Sequence, residues 1–395
     1  MAISLPILLI SLLFSLAASL LPGLHPNSVG AILGDFLSGS ADWPFFLIIL
    51  LGGRMALQFL PSIFLGIPDG ETQAAVLPGQ RMFMEGRAGE AVMICVFSVV
   101  VATLVAIFLS PLLLPFLPAA FSFVKPFTGP LLLLAALVSI LVEKNAEHRL
   151  KSAAVFILAW ALGQIALNMA LGDPLFPLFV GFFTMPMLLA PAGRVHDAPA
   201  QTEPRGVGMD ILPFILMGIL FGALADLLPG ISTPAQIALF VSLFISVREA
   251  GHFLALVASI EASHSVFALT SAAAVGVARV GTVAMAQAAV PITPPVLPSF
   301  FGAFLLSVAL GALAAIFTGR LISRHWHSFD WRAFSTLIAA YLVFMVWLNA
   351  GLAGLAVLAT ASAIGALPIL WNVRRTQVMG SLIGPSMTYA FGLTI

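Results

Sequence analysis

Several ionisable side chains lie in stretches that are otherwise apolar, and they are the first candidates for chemistry. Asp226 comes near the end of one apolar run, and Glu261 and His264 lie three residues apart in a second apolar stretch. If this second stretch is helical, Glu261 and His264 share one helix face. Such a pair can relay a proton or bind Na⁺, with a structural ion pair as the alternative role. We expect the ion-coupling residues to be Asp69, Asp226, Glu261 and His264.

Prolines and glycines break the apolar runs at two similar places. The tetrapeptide Leu-Leu-Pro-Gly occurs at 20–23 and again at 227–230. A helix ends there, and the next helix presents unpaired N–H groups that favour an anion. A tight turn outside the membrane is the alternative. We predict that substrate binds at these breaks and at the related segments 61–80 and 257–264, through Gly23, Asn27, Ser28, Gly70, Glu71, Thr72, Gly230, Ser232, Thr233 and Ser263.

The composition indicates that lipid surrounds most of the chain. Of the 395 residues, 61% are hydrophobic and 8% are charged, whereas soluble domains carry roughly 25% charged residues. Sixteen basic residues balance sixteen acidic ones, which leaves no basic surface for nucleic acid. Cys95 is the single cysteine, so an intramolecular disulfide and a Cys-rich metal site are excluded.

The length and spacing of the apolar runs predict an all-α polytopic membrane protein. A spanning helix needs about 20 apolar residues, and the runs lack the period-2 alternation of a membrane barrel. The first run, Met1 to Leu21, lacks the Lys or Arg residues that begin a signal peptide. It is therefore interpreted as a first membrane helix rather than a removed signal peptide. The predicted spans are 4–21, 44–61, 91–119, 128–142, 152–172, 174–191, 210–228, 234–247, 298–319, 333–349, 351–371 and a tail segment at 378–394.

Charged residues concentrate between the apolar runs. The most polar stretch, 192–209, lies at the middle of the chain. We interpret it as a linker between a first half, 1–191, and a second half, 210–395. Basic residues recur in it and in three other loops, which the positive-inside rule places in the cytoplasm. These three loops are 143–151, 320–332 and 374–375.

A second pair of similar blocks supports an internal repeat. Gly-Arg-Ala-Gly-Glu-Ala-Val-Met at 86–93 is similar to Ala-Arg-Val-Gly-Thr-Val-Ala-Met at 278–285. The comparison makes Arg87 and Arg279 equivalent, either as substrate-carboxylate ligands or as interfacial anchors. We predict two related halves, inverted relative to each other, whose broken or re-entrant helices meet near the bilayer midplane.

Two of these segments resemble a known family. The stretch 66–71, Gly-Ile-Pro-Asp-Gly-Glu, and the stretch 86–91, Gly-Arg-Ala-Gly-Glu-Ala, resemble the Ile-Pro-Gly-Glu-Pro and Gly-Arg-Ala-Gly-Lys-Ala signature of the large membrane subunit of tripartite tricarboxylate transporters. The Leu-Pro-Gly at 21–23 and that at 228–230 are similar to conserved loops in the two halves of this family. The resemblance extends over both halves of the chain.

The sequence also departs from the family pattern. Thr72 stands where a proline normally follows Gly-Glu, and His-Pro-Asn at 25–27 replaces small residues. The chain is short for a full member and resembles divergent archaeal or single-component relatives. The resemblance implies import of carboxylates across the cell membrane driven by H⁺ or Na⁺. It also implies a small membrane subunit, a periplasmic binding protein and no cofactor beyond the coupling cation.

Three functions follow from these features, in decreasing order of support. The first is secondary transport of a small organic anion, which the repeat, the breaks and the resemblance favour. The second is translocation of a polyprenyl-phosphate-type lipid carrier, because similar helix ends would hold a phosphate. The third is an intramembrane enzyme built on His25, His252 or His264. The chain lacks HExxH and GxSxG motifs, so we predict a protein that is not an enzyme and holds no metal.

Overall fold

The described part of the chain consists of helices joined by turns and short loops. A computed structural model describes residues 4–21, 26–37, 39–66, 72–171, 174–189, 199–204, 206–227, 237, 249–326 and 331–393. The α-helices are α1 Leu5–Leu20, α2 Pro26–Leu37, α3 Trp43–Arg54, α4 Val76–Met84, α5 Ala88–Leu113, α6 Leu117–Val124, α7 Thr128–Leu141, α8 Ala146–Asn168, α9 Leu175–Phe179, α10 Met185–Leu189, α11 Leu212–Leu227, α12 Ala250–Val275, α13 Gly281–Ala289, α14 Leu297–His325, α15 Trp331–Leu370 and α16 Gly380–Ala390. The π-helices are Pro61–Leu65 and Val180–Thr184, and the 3-10 helices are Gln73–Ala75, Lys125–Phe127, Met209–Ile211 and Arg375–Met379.

Seven helical segments among the described residues are long and apolar enough to cross a bilayer. This confirms the prediction of an all-α multi-pass membrane protein. Helix α15 is broken at Gly351, where φ is 60° and ψ is −155°, close to the boundary predicted between the spans 333–349 and 351–371. The seven segments are Ala88–Leu113, Leu117–Leu141, Ala146–Asn168, Met209–Leu227, Ala250–Val275, Leu297–His325 and Thr336–Leu370.

The central helix of the bundle, α12, is absent from the predicted spans. It is continuous over 26 residues, and every residue from Leu254 to Ala272 is buried. The predicted interruption at 257–264 is therefore wrong, because this segment lies in the middle of the helix. Polar residues lower the hydropathy of α12, but neighbouring helices surround it, so it needs no lipid-facing apolar side.

Helices α1, α3 and α14 run in the same direction. Along each pair of neighbouring helices, contacts at higher residue numbers on one helix are made with higher residue numbers on the other. Residue numbers rise together in this way only when two helices are parallel. Small residues allow the closest approach, since a Cβ at Gly311 would overlap the Gly53 carbonyl. The contacts are Ser4–Asp42 and Ser15–Leu50 for α1 with α3, and Phe45–Phe300 and Gly53–Gly311 for α3 with α14.

Helices α5, α11 and α12 form a second parallel group. The same kind of order holds for their contacts, and hydroxyl groups on α12 make several of the bonds between helices. The contacts are Ile94–Gly251 and Ser110–Thr270 for α5 with α12, and Gly218–Ser259 and Asp226–Ser271 for α11 with α12.

An aromatic cluster shows that the two groups run in opposite directions. Phe64 follows α3, Trp326 follows α14, and Phe83 lies near the end of α4, just before α5 begins. The ring centroids of Phe83 and Trp326 are 4.6 Å apart, and those of Phe64 and Phe83 are 5.8 Å apart. Helix α14 therefore ends where α5 begins, and the π-helix that follows α3 reaches the same end of the bundle.

Helices at matching places in the two groups also recur at a constant spacing. Leu5 and Leu212, which begin α1 and α11, are 207 residues apart, as are Trp43 and Ala250, which begin α3 and α12. Because the two groups are antiparallel, this arrangement is the one that an inverted repeat would produce. The predicted equivalence of Arg87 and Arg279 does not fit this order. Arg87 precedes α5, whereas Arg279 lies between α12 and α13.

The linker binds the turn between α4 and α5, and we call this end of the bundle the linker face. Gln201 Oε1 accepts a hydrogen bond from the Ala88 N–H at 3.0 Å, and Gln201 Nε2 donates to the Phe83 carbonyl at 3.2 Å. The Thr202 N–H donates to the Gly86 carbonyl at 2.8 Å. Gly86 has a φ of +76°, which favours glycine. The Gly-Arg-Ala-Gly block thus forms a turn that holds the linker.

Replacing Gln201 tests this structural role. Ala88 begins α5, so its N–H lacks a partner within the helix and needs one from outside. We expect Gln201→Ala to lower the stability of the purified protein by about 1–2 kcal/mol, the loss of a bound helix-terminal N–H. Thermal unfolding in detergent measures it, and Glu203→Ala, which changes an exposed neighbour, is the control. An unchanged melting temperature for Gln201→Ala would contradict the role.

Candidate functional site

Small residues bring α11 against α12 along their whole length. A Cβ at Gly218 would overlap the Ser259 side chain, and one at Gly222 would overlap Ser263 Oγ. Ser263 Oγ donates to the Ser259 carbonyl at 2.6 Å, within α12. Two helices approach most closely where glycine and serine face each other. Because α11 stays this close to α12, Asp226 near the end of α11 lies directly beside α12.

Asp226 is the centre of a buried polar cluster. Its side chain is 1% exposed, and Ser271 Oγ of α12 donates a hydrogen bond to Asp226 Oδ2. Asp226 Oδ1 lies 3.9 Å from Nε2 of His264, a residue that is 2% exposed. The Asp226 carbonyl, one of the last in α11, accepts a hydrogen bond from Arg279 Nε at 2.5 Å. An arginine at a helix C-terminus also interacts favourably with the helix dipole.

Glu261 lies one turn before His264 on the same helix and is 2% exposed. The structure therefore places Asp226, Glu261 and His264, three of the four predicted ion-coupling residues, inside the bundle on two adjacent helices. An ionisable group in such a place is costly unless it has a partner, so it points to function. The fourth predicted residue, Asp69, lies outside the described residues.

The middle of α12 also contacts an irregular part of the first half. Ser265 Oγ lies 3.8 Å from Met55 Sδ. Residues 55–58 form turns between α3 and the π-helix Pro61–Leu65, and Gly66 follows with a φ of +66°. Part of the predicted interruption at 61–80 is thus present as a non-α segment, and it is buried against protein, as broken backbone at membrane depth requires.

The predicted substrate-binding residues are only partly described. Thr72 is buried and its Oγ1 lies 2.7 Å from Ser62 Oγ. Asn27 on α2 packs against Gly281 of α13, and Ser263 serves the α11–α12 contact. None of these three described residues contacts the Asp226 carboxylate through a hydrogen bond. Outside the described residues lie Gly23, Gly70, Glu71, Gly230, Ser232, Thr233 and the side chain of Ser28.

The two arginines of the similar blocks have different surroundings. Arg87 is exposed at the linker face, where it binds Glu90 at 2.7 Å and Glu85 at 3.1 Å. The hydrogen bond to Glu90 is the main reason that its pKa is raised above the ordinary value. Arg279 is half-buried and lies over the Phe121 ring, 5.6 Å from its centroid. Burial lowers the pKa of Arg279, and the attraction of Asp226 opposes this shift.

One group of described side chains has the geometry to bind a metal ion. Asp210, Glu249 and His252 each offer a ligand atom, and these atoms lie within 4.8 Å of one another. His252 Nε2 lies 2.6 Å from Asp210 Oδ2, and Phe214 stacks on the imidazole ring at a centroid distance of 4.4 Å. The group lies at the linker face, about 24 Å along α11 from Asp226 at 1.5 Å per residue.

A cavity of about 850 Å³ lies at the opposite end, where α11 and α12 finish. Leu227 and Val275 line it from these two helices, and Arg279 lies at its edge. Lys125, from the short 3-10 helix between α6 and α7, contributes a second positive charge. No sequence pattern marks Lys125, because the α6–α7 corner comes near the end of α11 only in the folded protein.

The fold defines a multi-pass α-helical membrane protein with a buried cluster of ionisable side chains. The chain matches the tripartite tricarboxylate transporter TctA family over residues 5–380 and belongs to that family. One relative, an uncharacterized protein of the archaeon Methanocaldococcus jannaschii, is 25% identical over 399 residues, which cover 97% of this chain and 98% of the relative. No solved structure matches the chain.

Family membership confirms the resemblance seen in the sequence, and the archaeal relative agrees with a divergent member. Members of this family are transporters, not enzymes. The predicted classification as a non-enzyme is therefore confirmed. The family gives no support to translocation of a lipid carrier.

Proposed function

We propose that this protein is a secondary transporter that moves an organic anion carrying carboxylates across the cell membrane, coupled to H⁺ or Na⁺. Family membership supports tricarboxylate-type transport. The single observation that carries the coupling is the buried cluster in which Asp226 approaches His264 to 3.9 Å and Glu261 lies one turn away. Carboxylates and a histidine inside a membrane bundle suit a proton relay or a cation site.

The antiparallel arrangement of the two helix groups supports alternating access. In transporters with inverted repeats, the substrate and ion sites lie at the repeat interface. Here α12 of the second half packs against α5 of the first, and α3 of the first packs against α14 of the second. A rocking movement of one group against the other would expose the Asp226 end of α11 to either side in turn.

The protein's partners follow from the same proposal. The family is tripartite by name, and we propose that a small membrane subunit and an extracytoplasmic binding protein act with this chain. The binding protein would deliver the anion to the transporter. Co-purification of this chain with the products of neighbouring genes tests this part, and a chain that transports at full rate without them would contradict it.

Uptake by proteoliposomes tests the transport function. Purified protein in vesicles should accumulate labelled citrate or a related di- or tricarboxylate when an inward H⁺ or Na⁺ gradient is imposed. Collapse of that gradient with an ionophore should abolish accumulation. Vesicles without protein are the control. The absence of uptake for every carboxylate tested, with and without the proposed partners, would refute the function.

Glu261→Gln gives a sharper test of coupling. The change keeps the shape of the side chain but removes its charge, so the helix packing is preserved. We expect gradient-driven uptake to fall by about tenfold or more, as expected from the loss of at least 1.4 kcal/mol of coupling. Glu147→Gln, on the exposed start of α8, is the matched control. Uptake like that of wild type at every pH and Na⁺ concentration would remove Glu261 from the mechanism.

A further inference from the structure

The cavity at the ends of α11 and α12 has the size and the chemistry of a ligand site. Its volume of about 850 Å³ lies in the range of small-molecule pockets, roughly 300–1,000 Å³. Phe121 and Tyr389 line it from α6 and α16, opposite Leu227 and Val275. It therefore lies between the central helices and the outer helices, beside the buried Asp226.

The charged side chains that line this cavity, among the described residues, are both positive. Lys125 and Arg279 are among its lining residues, and the described lining contains no aspartate or glutamate. No described residue accepts a hydrogen bond from Lys125 Nζ or from the two terminal nitrogens of Arg279. Arg279 also lies over the Phe121 ring, but its one hydrogen bond among the described residues uses Nε. The two terminal nitrogens of the guanidinium are thus available for a planar anion.

We propose that this cavity binds the transported anion, with one carboxylate at Arg279 and a second acidic group at Lys125. This inference rests on the proposed function and assigns its anion site to residues outside the Pro-Gly breaks. Two separated cations fit a small dicarboxylate or tricarboxylate better than a monocarboxylate. Hydroxyl groups of Ser122, Thr128 and Ser386 add hydrogen-bonding partners around the same space.

The position of Arg279 also links anion binding to the coupling cluster. Its Nε donates to the Asp226 carbonyl, so a carboxylate at the guanidinium brings a negative charge close to the Asp226 side chain. A nearby like charge disfavours the ionised carboxylate, and the anion therefore favours a protonated Asp226 or a cation bound to it. Because such coupling is reciprocal, the proton or cation strengthens anion binding in turn.

An anionic lipid headgroup has the same chemistry as a free anion and is the competing source. Phe123 and Phe127 flank the Lys125 corner and are strongly exposed, at 71% and 50%, as expected of side chains that face lipid. The solute is favoured because the cavity adjoins Asp226. The experiment must therefore compare a soluble carboxylate with an anionic phospholipid.

Binding to the purified full-length chain in detergent separates these sources. We expect citrate, tricarballylate or succinate to raise the melting temperature of wild type in a saturable manner. Lys125→Gln should weaken the apparent affinity by about tenfold or more, as expected for one charged contact. Arg279→Lys should weaken it similarly, because the fork is lost while the charge remains. Lys144→Gln, an exposed lysine in the α7–α8 loop, is the matched control.

Each other outcome overturns the inference. One such outcome is that Lys125→Gln binds the anions as tightly as wild type. This variant tests the site even if Arg279→Lys folds poorly. Another is phosphatidylglycerol stabilising the protein through Lys125 while all three carboxylates fail to bind. Proteoliposome uptake keeps the two proposals distinct. If wild type transports a carboxylate and Lys125→Gln binds it normally, the site is wrong and the function stands; if wild type transports none, the function itself fails.

Discussion

Asp226→Asn is expected to abolish accumulation of the anion while preserving its exchange across the membrane. Asparagine has the same shape, so Ser271 can still donate to its side-chain oxygen, but it can neither release a proton nor hold a cation by charge. The neutral amide resembles a protonated carboxyl, so for proton coupling the variant is fixed in the loaded form. Net coupled uptake requires the side chain at position 226 to bind and release the coupled ion in every transport cycle. Exchange of internal for external anion does not.

The measurement compares two assays on the same vesicles. Gradient-driven accumulation should fall by about tenfold or more, corresponding to at least 1.4 kcal/mol, and counterflow of labelled against unlabelled anion should remain within about threefold of wild type. Asp42→Asn, at the start of α3, is the matched control and should retain both activities. If Asp226→Asn accumulates the anion normally, Asp226 does not couple transport; if it also loses counterflow, the residue serves binding or folding.

Gly222→Val should have the largest effect on folding. A Cβ at Gly222 would overlap Ser263 Oγ and lie 2.9 Å from the backbone nitrogen of His264 and 3.0 Å from the Ile260 carbonyl oxygen. The backbone of α12 cannot move aside, because that helix is buried between its neighbours. Overpacking of this kind costs about 1–3 kcal/mol or more, and here it also separates Asp226 from Ser271 and His264.

Gly302→Ala is the control for this substitution. Gly302 lies inside α14, and a Cβ there would meet nothing within 4 Å, so alanine should leave stability unchanged or raise it by up to about 1 kcal/mol. We expect Gly222→Val to lower both the folded yield and the melting temperature in detergent. A Gly222→Val protein that melts like wild type would show that α11 and α12 pack less closely than the contact between Gly222 and Ser263 requires.

Sequence patterns alone were sufficient for the class of the protein. Composition and the length of the apolar runs predicted a multi-pass helical membrane protein, and the Gly-Arg-Ala-Gly block with its neighbours indicated the family. The rarity of ionisable residues in apolar stretches also selected Asp226, Glu261 and His264 for attention. These inferences hold because the cost of placing polar groups in lipid acts on each segment independently of its neighbours.

Sequence patterns gave wrong or incomplete predictions for segments whose surroundings are other helices rather than lipid. Helix α12 was not predicted as a span, because its serines, Glu261 and His264 lower its hydropathy; protein rather than lipid surrounds it. The sequence left Arg87 of the Gly-Arg-Ala-Gly block open between a substrate ligand and an interfacial anchor, and it gave no sign that this block forms the turn that holds Gln201 of the linker. The roles predicted for Gly23, Gly70 and Gly230 stay predictions.

Composition, the length of the apolar runs and the local motifs were enough to predict a membrane protein of the tricarboxylate transporter family, since lipid solvation and local motifs act over short stretches. Which polar residues meet depends on how the helices pack against one another. Asp226 precedes Ser271 by 45 residues and Arg279 by 53. Their contact depends on α11 lying parallel to α12, at a distance that only glycine allows. Lys125 reaches the same region through a different pair of helices. Contacts of this kind depend on helix direction and packing, which periodicity and composition do not encode.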